Sequence, residues 1–321
     1  MDTEFHYYIT GFLARCSGFS DSEATTIATA SEYVDYNCTE CTVYQKRSAK
    51  PYRNQISQTM DITKPRSERI RIYPLFHFIP GDPNADSARR IDNRIHQLNT
   101  TPDNEIANRI IDHALGGNMV ESEDQLLHAI GIASHAYIDT WAHQNFIGIE
   151  DSFNHAGSIL PNIGHADVEH KPDIPCLIWQ DERLLDPLID NRKRFIDAGM
   201  ALYRKYLSFN EGRNIRSGYS PERMEDELAA MLGPSSKASS MEMNRYQRYR
   251  KYRIELYYLG QFDPDGWFDA AVHRKAGSYF WRSPSNMKST EWYRFQEAVK
   301  RHAEFAFELI KPRFEAEGIN V

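Results

Sequence analysis

The chain has 321 residues, 41% of them apolar and 26% charged, a balance that excludes a disordered or low-complexity polypeptide and allows one large domain or two modest ones. A formal charge of −7 excludes binding of nucleic acid or anionic membrane by the whole surface, so any such binding is regional. No run of about 18 apolar residues occurs, and the start MDTEFHYYITGFLARCSG carries acids where a signal peptide carries a basic region, so a cytoplasmic protein without a transmembrane segment is expected.

In chain order, Phe5, Ile9, Phe12, Leu13 and Cys16 form an apolar stripe, Gly18 ends it, and Ser20 or Asp21 can cap a second helix through Ala24, Ile27, Ala28 and Tyr33. Cys38-Thr-Glu-Cys41 is a lone CxxC with no second pair, and it reads as ordinary thiols. Thr42-Val-Tyr44 and Arg69-Ile-Arg-Ile-Tyr73 carry β-branched or alternating residues, which predicts a short hairpin within 42–78. Helical periodicity returns over Ser87 to Leu98, Asp103 to Leu115 and Ser122 to Phe146, the last apolar nearly all round and so expected at the centre of the fold. Further helices are predicted through Phe195 to Tyr206, from Pro221, and over Ser289 to Phe314, with a linker at Leu232 to Ser240. The Tyr/Arg-rich segment Met243 to Tyr258 reads first as a helix that packs its tyrosines inward, with base stacking and phosphate binding as the alternative.

The chemistry concentrates in His135-Ala-Tyr-Ile-Asp139-Thr-Trp-Ala-His143 and His165-Ala-Asp-Val-Glu169. At about 100° per residue, positions four apart share a helix face, so His135, Asp139 and His143 project together, and His165 and Glu169 repeat the spacing. Mixed imidazole and carboxylate suits zinc, with manganese or iron as alternatives, rather than calcium. Burying these groups on an apolar helix is costly unless a cation offsets the desolvation; the bland alternative is a hydrogen-bonded His/Asp network. His6, Asp35 and His77 also fit a metal reading. His128 and His170 are candidates for supporting contacts, His155 and Asp167 are reserve ligands, and His302 is a candidate contact near the site.

The order of a histidine near the start, an aspartate ending the first hairpin, an isolated histidine, HxxxD with a further histidine and then HxxxE resembles the zinc-dependent phospholipase C and single-strand-specific nuclease superfamily. Within it, FHYY, VD, FHF, HxYxDT and HQxFxG are similar to an uncharacterised bacterial branch, here Phe5 to Tyr8, Val34-Asp35, Phe76 to Phe78, His135 to Thr140 and His143 to Gly148. The resemblance covers residues 4–170. It implies an all-α multi-helix bundle with at most a short β-hairpin near residues 42–78, and three zinc ions: one held by Asp35, His77, His135 and Asp139, a second by His143, His165 and Glu169, and a third by His6 with Asp139 as a bridge. Secreted members supply an N-terminal tryptophan to the third ion; here Glu4 is the expected replacement, or that ion is missing. Such ions would lower the pKa of water for in-line attack on phosphorus, with Asp35 orienting or deprotonating it.

The chain is therefore expected to be one metal-binding helical domain, residues 1–186 forming the metal-site part and residues 187–321 packing on it as C-terminal helices. The expected function is a zinc-dependent phosphoesterase acting on a phosphodiester, nucleic acid or phospholipid head group. The rivals are a metal-stabilised binding protein without catalysis, and another metallohydrolase such as an amidase.

Overall fold

Hydrophobic periodicity sets most of the elements. The structure, a computed structural model, describes residues 1–45, 50–59, 69–157 and 162–321. A π-helical turn, Glu4–Ile9, runs into α1 (Thr10–Cys16), and α2 (Asp21–Tyr36) starts at Ser20, whose hydroxyl and Glu23 form a reciprocal capping box. Two short strands follow, β1 (Thr42–Tyr44) and β2 (Tyr52–Arg53), then α3 (Ile72–Phe76), α4 (Glu105–Leu115) and α5 (Leu126–Ala142). The second half contains β3 (Ile178–Gln180), β4 (Leu188–Asp190), α6 (Asn191–Gly212), α7 (Pro221–Leu232), α8 (Met241–Glu255), α9 (Gly266–Ala271), β5 (Val272–Lys275), β6 (Ser278–Trp281) and α10 (Glu291–Ala316).

The protein is mostly helical, with α5 at its centre: every residue of α5 from His128 to Ala142 is buried. Helix α5 packs on α2, α4, α6 and α10. Gly131 sets the approach to α2, since a Cβ there would lie 2.4 Å from the Ile27 carbonyl oxygen and 2.6 Å from the Ala30 Cβ. One apolar core draws on both halves of the chain, from Phe5 through Phe195 and Tyr252 to Phe314.

Two predicted elements differ. The strand expected at residues 69–73 is a turn leading into α3; Pro74 is tolerated there because first-turn N–H groups have no intrahelical partner, and Leu75 and Phe76 are buried. Residues 46–49 and 60–68 of the expected hairpin region lie outside the described residues. The helix expected over residues 87–98 is reduced to one 3-10 turn, Asp86–Ala88, because Arg90 bridges to Leu184 and Asn93 takes a left-handed φ of 56°.

More β structure is present than one hairpin near residues 42–78. A four-stranded sheet runs β2-β1-β6-β5, with β1 antiparallel to β2 and parallel to β6 (Val43 opposite Tyr279), and β3 pairs with β4 separately. The hairpin β5–β6 turns at Ala276-Gly277, both left-handed (φ 49° and 79°), the two-residue geometry that matches strand twist.

Candidate metal centre

The ligand candidates come from four separate parts of the fold besides the loop that closes the set. The π-helical turn carries His6, the last turn of α2 carries Asp35, the C-cap of α3 is His77, and α5 carries His135 and Asp139 and ends on His143. The loop over residues 165–173 closes the set. Ligand atoms approach within 4.8 Å of one another in three groups: His6, Asp35 and His135; His77, His135 and Asp139; His143, His165 and Asp173.

The outer nitrogens fix the tautomers. His135 Nδ1–H donates to the Ser31 carbonyl at 2.8 Å, His77 Nε2–H to Ser57 at 3.0 Å, His143 Nδ1–H to His77 at 2.7 Å and His165 Nδ1–H to Glu169 at 2.6 Å. Each ring then turns its other nitrogen, bearing a lone pair, toward a carboxylate, the arrangement by which proteins orient metal-ligating imidazoles. His135 Nε2 and His77 Nδ1 lie only 3.0 Å apart. Two lone pairs at that distance repel unless one ring is protonated or a cation lies between them.

His77, His135 and Asp139, with Asp35 beside the two rings, have the ligand spacing of a zinc site. Zinc–nitrogen bonds of about 2.0–2.1 Å place neighbouring ligand atoms roughly 3.3 Å apart. Here the edges are 3.0 Å (His135 to His77), 3.2 Å (His135 to Asp139), 3.4 Å (His77 to Asp139), 3.6 Å (His77 to Asp35) and 3.8 Å (His135 to Asp35). Asp139 Oδ2 makes no hydrogen bond although it is buried, as expected when the nitrogens facing it carry lone pairs. His6 stacks on His135 at 3.7 Å, and its Nε2 lies 3.1 Å from Asp139 Oδ1, yet neither ring nitrogen makes a well-formed hydrogen bond. These orphaned buried atoms fit a bound cation better than a closed hydrogen-bond network.

Electrostatics couples the groups. Burial opposes charge on Asp139, but His143, the Met1 ammonium and His135 hold its carboxyl well below the usual range. Asp173 is held low in the same way by His165, the Met1 ammonium and His143, again against burial. Burial pushes His6 down to about 3, helped by His135 and the Met1 ammonium, and it lowers His143 against the pull of Asp139. His77 and His165 are raised despite burial, His77 by Asp139 and Asp35, His165 by Asp173. Solvent reaches the centre along one edge: Asp35 is 27% exposed, His165 17% and Asp173 13%, whereas His6, His77, His135 and Asp139 are at most 3%.

His6, Asp35, His77, His135, Asp139, His143 and His165 lie together in these groups; Glu169 and Glu4 do not. Residues 166–168 form a 3-10 turn rather than a helix, so HxxxE loses its meaning: Glu169 takes φ 58°, its side chain is exposed, and only its backbone oxygen meets His165. Asp173 takes the place expected of it, with Oδ1 2.9 Å from His143 Nε2 and Oδ2 3.1 Å from His165 Nε2. The signal was faint, an aspartate after Pro172 in a segment unable to form a long helix. Glu4 is buried in a two-pronged ion pair with Arg248 (2.7 and 2.8 Å) and so is not free to ligate. The Met1 amine, also unforeseen, is buried against Asp139 and lies 3.2 Å from Asp173; burial works against its charge, but Asp139, Asp173 and Asp35 raise it to about 11.

The remaining candidates stand apart or serve as supports. His128 bonds Glu291 at 2.8 Å beside Trp267, and His155 lies exposed, 3.5 Å from Asp167. His170 is exposed, with Nδ1 4.0 Å from Asp173 Oδ2. His302 of α10 donates to the Leu75 carbonyl at 2.9 Å and stacks on Phe76, holding α3 and with it His77. Cys38 and Cys41 are free thiols, and burial pushes Cys41 up to about 11.

Residues 1–310, a span that includes every residue of this centre, match the family model DUF6765, described as a family of unknown function. The chain belongs to the DUF6765 family. No curated protein and no solved structure matches it. Within DUF6765, the centre is thus defined by its own geometry.

Proposed function

We propose that the chain is a zinc-dependent hydrolase of phosphate esters, built on a helical bundle of the phospholipase C and nuclease type and holding two or three ions. The observation that carries this reading is the convergence of four imidazoles, each with its outer N–H on a backbone carbonyl, onto Asp35, Asp139 and Asp173. One ion would be held by Asp35, His77, His135 and Asp139, a second by His143, His165 and Asp173, and a third by His6 with Asp139. Bound zinc supplies Lewis acidity and lowers the pKa of an adjacent water. The chain's own part is to hold the ligand rings in one tautomer and to keep the inner carboxylates dry. Asp35, on the solvent-reached edge, is assigned to accept the proton of the attacking water. That open edge, at Asp35, His165 and Asp173, favours catalysis over a purely structural site, in which protein ligands close the coordination shell.

Elemental analysis of protein purified without chelators tests the metal reading: zinc, manganese or iron at one or more equivalents is expected, falling in His135→Ala. Absence of all three defeats it. Hydrolysis of bis-p-nitrophenyl phosphate, single-stranded DNA or phosphatidylcholine, lost on chelation and restored by zinc, tests the chemistry. If the metal is present and all three substrates stay intact, the phosphoesterase reading fails and a metal-stabilised binding protein or an amidase takes its place.

A further inference from the structure

The four-stranded sheet β2-β1-β6-β5 turns only one of its faces to the core. Val43, Val272 and Trp281 are buried on that face, and because successive side chains alternate, Tyr44, Arg53, His273, Lys275 and Phe280 stand on the other, none of them buried. Tyr44 lies opposite Phe280, and Phe280 opposite His273, so three rings line up across β1, β6 and β5 with centroids 5.9 Å apart at each step. Tyr44, at one end of the row, is 44% exposed. Arg53 on β2 and Lys275 on β5, the two edge strands, flank the row; both are exposed, and neither makes an ion pair among the described residues. None of the four strands contains an aspartate or glutamate. The acids just outside them are matched, since Glu40 pairs with Arg69 at 3.0 Å and Asp269 lies beside Arg282, which donates to its carbonyl. The open face of the sheet therefore carries free cations and no acid.

We infer that this face of the sheet holds single-stranded nucleic acid. Unpaired bases stack on a row of rings carried by neighbouring strands, and the phosphates between them meet the cations at the edges. An acidic peptide would use Arg53 and Lys275 but leave the rings without a role, and a neutral carbohydrate would use the rings but leave the cations unmatched. A duplex keeps its bases stacked on one another and offers the rings nothing. The chain's charge of −7 confines such binding to a region, and this sheet is a region free of opposing charge. The inference goes beyond the metal centre, because the sheet holds the strand whether or not the strand is cut; the length of the oligonucleotide recovered after each titration reports on cutting separately.

Fluorescence anisotropy of a labelled oligothymidylate of about 12 nucleotides, titrated with the full chain, tests it. Binding is expected, weaker to a duplex of the same length, with a double-logarithmic salt slope of about −1.4 for two neutralised phosphates at about −0.7 each. Tyr44→Ala lowers the affinity at least about fivefold, and Tyr44→Trp does not, since a base needs only a ring to stack on. R53Q/K275Q flattens the salt slope. Circular dichroism and bound metal are unchanged in all three variants. The proposal is overturned if the wild type leaves the oligonucleotide free, if the duplex binds as tightly, or if Tyr44→Ala and R53Q/K275Q both bind like the wild type. It is equally overturned if polyglutamate displaces the label as readily as unlabelled oligothymidylate does, which would make the face a site for acidic peptide.

Discussion

At the scale of single residues, the third ligand group turns on which carboxylate joins His143 and His165. Asp173 spends both oxygens on these rings, at 2.9 and 3.1 Å, while the Glu169 carboxylate faces solvent. Asp173→Asn keeps the shape but removes the charge, so it should lower affinity for the second ion by at least about 100-fold, a loss visible as one equivalent of metal missing after dialysis. Glu169→Gln should retain the full complement, because the Glu169 contact to His165 is through its backbone oxygen. The reverse result, with Glu169→Gln losing metal and Asp173→Asn keeping it, would sink the assignment. Legibility followed the backbone here. His135, Asp139 and His143 were readable because a long helix turns four-residue spacing into one face, whereas His165 and Asp173 meet through 3-10 turns that no spacing rule describes.

At the scale of elements, the centre depends on how closely α2 and α5 approach. Ser31 of α2 holds His135 of α5 through its carbonyl at 2.8 Å, and Asp35 lies one turn further along. Gly131, one turn before His135, permits that distance. Gly131→Ala would gain about 1 kcal/mol of helix propensity. It would also place a methyl 2.4 Å from the backbone oxygen of Ile27, which cannot move without moving the helix. Overpacking of this kind costs roughly 1–3 kcal/mol or more, so the steric effect should win. Urea denaturation should show a net loss of stability, together with weaker metal retention as the Ser31 contact opens; a variant as stable as the wild type would show that α2 can shift freely. Periodicity foretold α2 and α5 but not their spacing, which is a property of two faces meeting. It likewise missed β5 and β6, whose signal was two left-handed turn residues, Ala276 and Gly277.

At the scale of the molecule, the two halves of the chain meet at a buried charge. Glu4 starts the turn that presents His6, and Arg248 reaches it from α8, a helix expected to turn its tyrosines inward. Arg248 is only 5% exposed and Glu4 fully buried, so neither has water to fall back on. Burial works against charge on Arg248, but the hydrogen bonds and charge of Glu4 raise its pKa, so Arg248 stays charged. Removing one partner from such a pair leaves an unpaired buried charge and typically costs about 3–5 kcal/mol, whereas replacing both by groups of similar volume costs far less. Arg248→Met should therefore destabilise the protein strongly in urea denaturation, and Glu4→Gln with Arg248→Met should recover at least about 1 kcal/mol relative to the sum of the single changes. Because the pair fixes the first residues, Arg248→Met should also loosen the ion proposed at His6 while leaving the one proposed at His143 and His165 in place. Additive single changes, or an Arg248→Met protein within about 1 kcal/mol of the wild type, would show that the pair is not what joins the C-terminal helices to the metal centre.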